Sequence, residues 1–235
     1  MNNLERFFKN RNHYNGCFFV DGTTCCCKST ITEKFTNDKI NNYINIKYYN
    51  IFPRTSYDYL YGYDYLLRTS KNITFDRSPV SNIAFLIIQQ YMDKAYMLKN
   101  ITPFALINLI VLELDLFYLF GFIKGKRYPT MMIIDSDLNA LKLRLKKRNI
   151  NKDSYYAEHD LYLEAQNQVY SYLAHILEYP LFDLKNDKIE NVSDIIKPME
   201  GDCVIGGHDL VPACTPWSKD IAMVIINNII QYHKR

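Results

Sequence analysis

FFVDGTTCCCKSTITEKF, from Phe18 to Phe35, is the stretch that decides the fold. Its first residues are apolar, and a helix-like sequence begins at Lys28. Between them lies a loop with the spacing G-x-x-x-x-x-K-S, from Gly22 to Ser29, in the strand–loop–helix context that a phosphate-binding loop requires. Cysteines fill positions where such loops carry glycine. The stretch therefore predicts either a nucleotide-binding enzyme or a protein that has lost that activity.

Strand-like and helix-like segments alternate along the rest of the chain. Apolar or β-branched runs occur in INIKYYNIF, NITFDRS, YPTMMIIDSD and PLFDLKN, and helical patterns such as SNIAFLIIQQYMDKA and LNALKLRLKKRN lie between them. This alternation predicts a helix-rich α/β fold with a parallel sheet wrapped by helices. We expect an N-terminal helical extension over 1–16, an α/β domain over 17–198, and a C-terminal arm with a helix over 199–235.

Composition and charge limit the classes of partner. The 235 residues are 48% hydrophobic and 23% charged, with a formal net charge of +3, which is too small to indicate a nucleic-acid partner. The polar N-terminus lacks the apolar core of a secretory signal, so we expect synthesis in the cytosol or nucleus and no secretion. The longest apolar run, ITPFALINLIVLELDLFYLFGFI, contains Glu113 and Asp115. Because acids are costly at a bilayer centre, we expect one buried or interface helix and no membrane partner.

The cysteines and tyrosines each allow two interpretations. The spacing of the cysteines does not fit a zinc site, and we expect no metal. Either they are buried thiols that fill an abandoned phosphate pocket, or they form disulfides with a neighbouring molecule or the C-terminal arm. The 20 tyrosines reflect either an AT-rich genome or a surface selected for contacts. The six disulfide candidates are Cys17, Cys25, Cys26, Cys27, Cys203 and Cys214.

Several motifs, in order over 17–198, resemble the thymidylate kinases of viruses and eukaryotes. DGTTCCCKST resembles that family's E-G-x-D-x-x-G-K-S-T, and FDRSPVSNIAF resembles D-R-Y-x-x-S-x-x-A-F. FPRTS resembles F-P-x-R-[ST]-T, one residue short before the arginine. IDSDLNALKLRLKKRN and YYAEHDLYLEAQNQVYSYLA resemble the late strand, the arginine-bearing lid and the next helix. The resemblance implies a P-loop kinase fold that uses ATP and magnesium to phosphorylate a nucleoside monophosphate.

The resemblance also implies a role for each matching residue. Lys28, in the loop that starts at Gly22, would bind the ATP phosphates, and Ser29 would ligate magnesium. Asp76 would organise the water shell of the metal. The implied phosphate-binding cations are Arg54 and Arg77 at the acceptor phosphate, and Arg144 and Arg148 near the transferring phosphoryl group.

The departures from the family pattern lie in and beside the loop. Glycine permits the left-handed backbone and the close approach to phosphate that such a loop needs, whereas Cys25 and Cys27 add side chains there. A non-glycine residue forced to positive φ costs about 1–3 kcal/mol. Thr24 replaces a loop carboxylate, Asp21 a glutamate and Ser78 a tyrosine. These changes predict a lost or weakened nucleotide site, with its catalytic residues as relicts and no cofactor bound.

The chain also resembles the nudivirus occlusion-body proteins, or polyhedrins. This resemblance rests on the degraded site, the cysteines without metal-site spacing, a tyrosine-rich surface and the C-terminal arm. That resemblance implies a chain whose partner is itself, in an oligomer or a lattice that encases virions in the nucleus of the infected cell. Hydrophobic contacts, swapped arms and disulfides formed after release from the reducing cell would hold the lattice. A competing hypothesis is a working viral nucleoside monophosphate kinase in the cytoplasm that uses ATP and magnesium. A third is a pseudokinase that binds ATP without turnover.

Overall fold

The computed structural model describes residues 1–36, 43–47, 56–97, 100–148, 153–188, 191–192 and 195–196. The predicted C-terminal arm lies outside these residues. The helices are α1 (Asn3–His13), α2 (Lys28–Thr36), α3 (Ser56–Thr69), α4 (Ser81–Ala95), α5 (Pro103–Glu113), α6 (Phe117–Lys126), α7 (Leu138–Arg148), α8 (Asp153–Ala157) and α9 (Asp160–Leu177). The strands are β1 (Phe18–Gly22), β2 (Ile44–Lys47), β3 (Ile73–Asp76), β4 (Thr130–Ile134) and β5 (Leu181–Asp183). The predicted helix-rich α/β alternation is confirmed.

The strands form one parallel sheet in the order β2-β3-β1-β4-β5. The central strand β1 pairs with β3, where Val20 lies opposite Asp76, and with β4, where Gly22 lies opposite Ile133. The chain builds the sheet to one side of β1 first and to the other side afterwards. The carboxyl ends of β1, β3 and β4 therefore meet where the strand order reverses, which is the usual place for a ligand in such sheets.

Apolar side chains cover both faces of the sheet, as its parallel strands require. Successive side chains of β1 point to opposite faces, so Phe19 joins one cluster while Phe18 and Val20 join the other. The first cluster is completed by α3, α4, α5, α6 and α9. The second is completed mainly by α1, α2 and α7. This double cover fixes β1, and with it the loop that follows.

The N-terminal helix α1 packs against the second face of the sheet. A capping box begins the helix, and its Phe7 is buried edge-on to Phe18. The guanidinium of Arg11 lies 5.0 Å from the centroid of the Phe18 ring and donates a hydrogen bond of 2.7 Å to the Tyr43 hydroxyl. The helix is therefore part of the packed core.

The long apolar segment forms two helices, and the prediction of a single helix is wrong. Between α5 and α6 the chain bends by 99°, and Asp115 in the break has a left-handed φ of 51°. Glu113 lies at the surface, 2.8 Å from the ammonium of Lys94 on α4, rather than in a packed interface. In the part of the chain that the structure describes, no single helix has the length and composition to cross a membrane. The bent pair α5 and α6 meets both requirements only when its two helices are counted together.

Most of the described tyrosines lie in the core, so the prediction of a tyrosine-rich surface is wrong for this part of the chain. Burial raises the pKa of Tyr14 to about 12, and its hydroxyl donates to the backbone carbonyl of Lys126. Ring contacts join several of them to phenylalanines, as for Tyr63 and Phe19 at 5.2 Å. The buried tyrosines are Tyr14, Tyr43, Tyr63, Tyr65, Tyr91, Tyr128, Tyr170, Tyr172 and Tyr179.

Candidate anion-binding site

The loop between β1 and α2 begins with a close backbone contact. Gly22 has a φ of 135°, and a Cβ atom there would lie 1.8 Å from the carbonyl oxygen of Ile133 on β4, so only glycine fits. Cys25 and Cys27 have φ values of 56° and 54°. The expected left-handed cysteines are therefore present, each at a cost of about 1–2 kcal/mol. Anion-binding nests are built from backbone of this kind, in which left-handed residues turn N–H groups inward.

The three adjacent cysteines lie in different environments. Cys26 is buried in the second cluster, and burial raises its pKa to about 12. Cys25 and Cys27 are partly exposed and line a cavity of about 250 Å³ in front of the loop. The four cysteines among the described residues form no disulfide with one another. The remaining disulfide candidates lie outside the described residues: Cys203 and Cys214.

Lys28 begins α2, and its side chain turns back onto the loop. Its ammonium donates hydrogen bonds to the carbonyl oxygens of Gly22, at 3.1 Å, and Thr23, at 2.5 Å. The residue is 6% exposed. Burial, together with the nearby Arg77 guanidinium, lowers the pKa of Lys28 to about 8. Lys28 lines the cavity, and its two acceptors are neutral carbonyls, so neither of them cancels the charge of the ammonium.

Ser29 and Asp76 meet at the carboxyl ends of β1 and β3. The Ser29 hydroxyl donates to the Asp76 carboxylate at 2.7 Å, and the carboxylate is almost completely buried. A hydroxyl beside a carboxylate suits magnesium, which prefers oxygen ligands. The described residues hold no group of three or more histidine, cysteine or acidic side chains that could bind a metal ion. Magnesium here would therefore keep most of its ligands as water or phosphate oxygen, as it does in nucleotide sites.

Asp21 forms the buried floor of the loop. Its carboxylate accepts hydrogen bonds of 2.6 Å from the hydroxyls of Ser78 and Ser81 and one of 2.8 Å from the backbone N–H of Gly22. It also lies 3.3 Å from the guanidinium of Arg77. Asp21 and Ser78, two positions that depart from the family pattern, are therefore direct partners in this structure.

Arg77 has a strained backbone and a closely packed side chain. Its φ is 109°, in a region that costs a non-glycine residue about 1–3 kcal/mol. The guanidinium donates to the Gly22 carbonyl at 3.0 Å and faces the Phe85 ring at 5.5 Å. It therefore lies at the cavity wall but is held there by protein groups.

Two further arginines reach the cavity from α7. Arg144 donates to the carbonyl of Cys25 at 2.9 Å and pairs with the buried carboxylate of Asp135. Arg148, one turn later and exposed, also lines the cavity. Arg54, the other predicted phosphate ligand, lies outside the described residues.

Sequence reasoning missed the polar groups that fasten the loop to α9. The backbone N–H of Thr24 donates to the Gln166 side-chain oxygen at 2.9 Å, and the Thr23 hydroxyl donates to Asn167 at 2.6 Å. The Asn167 amide in turn donates to the carbonyl of Asp135 at 2.6 Å. A run of three adjacent amide side chains, Gln166 to Gln168, in a helix with many apolar residues was the signal that could have revealed them.

The cavity as a whole is positive. The helix that begins at Lys28 has its N-terminus at the cavity, and a helix N-terminus beside cationic side chains favours an anion of phosphate type. No protein-family model, curated protein or solved structure gives a significant match to the chain. The lining carries four cationic side chains, Lys28, Arg77, Arg144 and Arg148, and one carboxylate, Asp76. Two more carboxylates, Asp21 and Asp135, pair with Arg77 and Arg144, which leaves a small excess of positive charge.

Proposed function

We propose that the chain is a self-assembling viral structural protein of the occlusion-body type, built on a thymidylate-kinase-like P-loop scaffold that has lost efficient phosphoryl transfer. Its main partner is a second copy of itself, and virions are the cargo that such an assembly would enclose. Three features support the proposal: the position of the loop, the chemistry of the cavity, and an exposed apolar surface.

The scaffold is supported by where the loop lies. It follows the central strand of a parallel sheet, begins at Gly22 and leads directly into the helix that starts at Lys28. Phosphate loops use this strand–loop–helix arrangement to direct backbone N–H groups at an anion.

The loss of chemistry is supported by what occupies the loop. Cys25 and Cys27 place side chains along the cavity where close approach to phosphate is needed. The side chains of Arg77 and Arg144 are engaged by Asp21 and Asp135. Phosphoryl transfer depends almost entirely on positioning, and a misplacement of about 1 Å costs roughly 100-fold in rate. We therefore expect transfer to be slower than in an intact loop by at least that factor.

The observation that carries the assembly proposal is an exposed apolar surface where α4, α5 and α6 meet. We call it the α5–α6 patch; Tyr118 within it is 85% exposed and Leu112 is 63% exposed. At about 200 Å² for a fully exposed large side chain, its five members expose roughly 700 Å². A typical monomer has a largest apolar patch of about 300–600 Å², and a standard interface buries about 800 Å² per partner. The members lie within five residues of Lys94 or Glu113 in sequence, and these two residues form an ion pair between α4 and α5: Tyr96, Met97, Leu112, Phe117 and Tyr118.

Association of the purified, reduced full chain tests the proposal. We expect sedimentation velocity to show oligomers that grow with concentration. Leu112→Glu and Tyr118→Glu should weaken association by at least about 10-fold, because each places a charge in the buried contact. Leu143→Glu is the matched control, since Leu143 is 69% exposed but lies on α7. A chain that stays monomeric at all concentrations, or patch variants that associate like the control, would reject the proposal.

An active nucleoside monophosphate kinase is the second candidate, favoured by one observation. Lys28, Ser29, Asp76 and Arg77, all matching the family motifs, line the same cavity. Transfer of phosphate from Mg-ATP to thymidine monophosphate should be measured for the reduced chain, with Asp76→Asn as the inactive control. Turnover in the unaltered chain that disappears in this variant would support the enzyme and reject the loss of chemistry.

A further inference from the structure

We propose that Cys25 and Cys27 form a thiol modification site that takes small anionic disulfides. The site lies on the described cavity, but its chemistry is distinct from phosphate binding and independent of assembly. Its two sulfur-bearing side chains line the cavity of about 250 Å³ in front of the loop. Cys26, between them, faces the core and is fully buried. The loop therefore exposes the thiols of Cys25 and Cys27 to the cavity and buries the thiol of Cys26.

The surroundings of these thiols select for negative charge. Lys28, Arg144 and Arg148 share the cavity with them, and Arg144 binds the Cys25 carbonyl directly. The carboxylates nearby are fewer: Asp76 in the lining, and Asp135, which pairs with Arg144. Cationic clefts raise the local concentration of anionic reactants and their association rates by about 10- to 1000-fold. A disulfide that carries carboxylates should therefore react faster here than a neutral one.

A buried amide side chain on α9 holds the loop beside these thiols. Gln166 is 1% exposed, and its oxygen already accepts from the backbone N–H of Thr24, which lines the cavity. Its amide nitrogen has no hydrogen-bond partner among the described residues. Gln166 thus fixes the loop residue next to Cys25 from behind, although it is not itself among the residues that line the cavity.

The reaction is a thiol–disulfide exchange. The thiolate of Cys25 or Cys27 attacks one sulfur of the disulfide, the original S–S bond breaks, and a mixed disulfide forms on the protein. The other half leaves as a thiolate and takes up the proton that the cysteine gave up. The small disulfide is the oxidant, and no further reactant is required. The attached anionic half would then occupy the cavity and exclude other anions.

Glutathione disulfide and the neutral 2-hydroxyethyl disulfide are suitable probes for the full-length reduced chain. Mass spectrometry of peptides gives the modification rate at each cysteine, and free cysteine gives the intrinsic reactivity of each probe. Relative to that reference, we expect the anionic probe to react about 10-fold faster at Cys25 or Cys27. Cys17 and Cys26, both buried, should remain unmodified in the folded chain.

Two variants on α7 separate charge selection from simple exposure. Arg148→Gln removes a cation of the cavity and should lower the preference for the anionic probe at least 3-fold. Lys147→Gln removes an exposed charge from the neighbouring position and should leave the preference unchanged. Inorganic pyrophosphate should slow the modification in the unaltered chain. Equal rates for the two probes, or equal effects of the two variants, would overturn the proposal, whether or not the chain assembles.

Discussion

Replacing Asp21 with asparagine tests whether the floor of the loop depends on a carboxylate. One oxygen of this buried group accepts three hydrogen bonds, from the Ser78 N–H and from the hydroxyls of Ser78 and Ser81. The other accepts from the Gly22 N–H and from Arg77. An amide of the same size turns one acceptor into a donor, so at least two of these donors lose their partner. At about 1.5–3 kcal/mol for a hydrogen bond to a charged group, the expected loss is about 3–5 kcal/mol.

Urea unfolding followed by far-UV circular dichroism measures this loss. Asp93→Asn is the matched control, because Asp93 is exposed on α4 and its replacement should change the free energy of unfolding by less than about 0.5 kcal/mol. Domains are stable by only about 5–15 kcal/mol, so the Asp21 variant should unfold at a clearly lower urea concentration with a similar m-value. A loss below about 1 kcal/mol would show that the carboxylate does not organise the loop.

Three further predictions concern the loop. Gly22→Ala should lower the free energy of unfolding by more than about 4 kcal/mol and so prevent folding, because its Cβ would lie 1.8 Å from the Ile133 carbonyl oxygen. A soluble variant that unfolds cooperatively would contradict this. Cys25→Gly and Cys27→Gly should each raise the free energy of unfolding by up to about 1 kcal/mol and tighten pyrophosphate binding, as measured by urea unfolding and calorimetry; a loss of stability in both would refute the strain argument. The pKa of Lys28 falls from 10.5 in the unfolded chain to about 8 in the folded one, so between these pH values only the unfolded chain holds the proton. The free energy of unfolding should therefore rise by about 3 kcal/mol from pH 8 to 10.5 relative to Lys28→Met, and parallel pH profiles of the two proteins would be the opposite result.

The local features of the site were predictable because they depend on neighbours in sequence. The strand that ends at Gly22 and the helix that begins at Lys28 follow from a short apolar run and a helical pattern with a loop between them. The left-handed backbone of Cys27 follows from the loop type, since the family motif has glycine at this position and a phosphate loop requires such angles there.

The long-range features were not predictable from local patterns. Gln166 and Asn167 meet the loop about 140 residues away in sequence, so only the packing of α9 brings them there. The bend between α5 and α6 lies at Asp115 in a largely apolar stretch, with neither proline nor glycine at the break, and both helices pack on α9. Composition likewise could not assign tyrosines to the core or the surface, because tyrosine suits both.

The packing of α1 determines where the chain can be shortened. A chain that began at Cys17 would lose the Phe7 ring and the Arg11 guanidinium that cover Phe18. The second face of the sheet would then present phenylalanine to water beside the central strand, which is the kind of surface that causes aggregation. A shortened chain made to isolate the α/β domain would therefore precipitate for reasons unrelated to ordered assembly. Studies of association thus need the N-terminal helix in place.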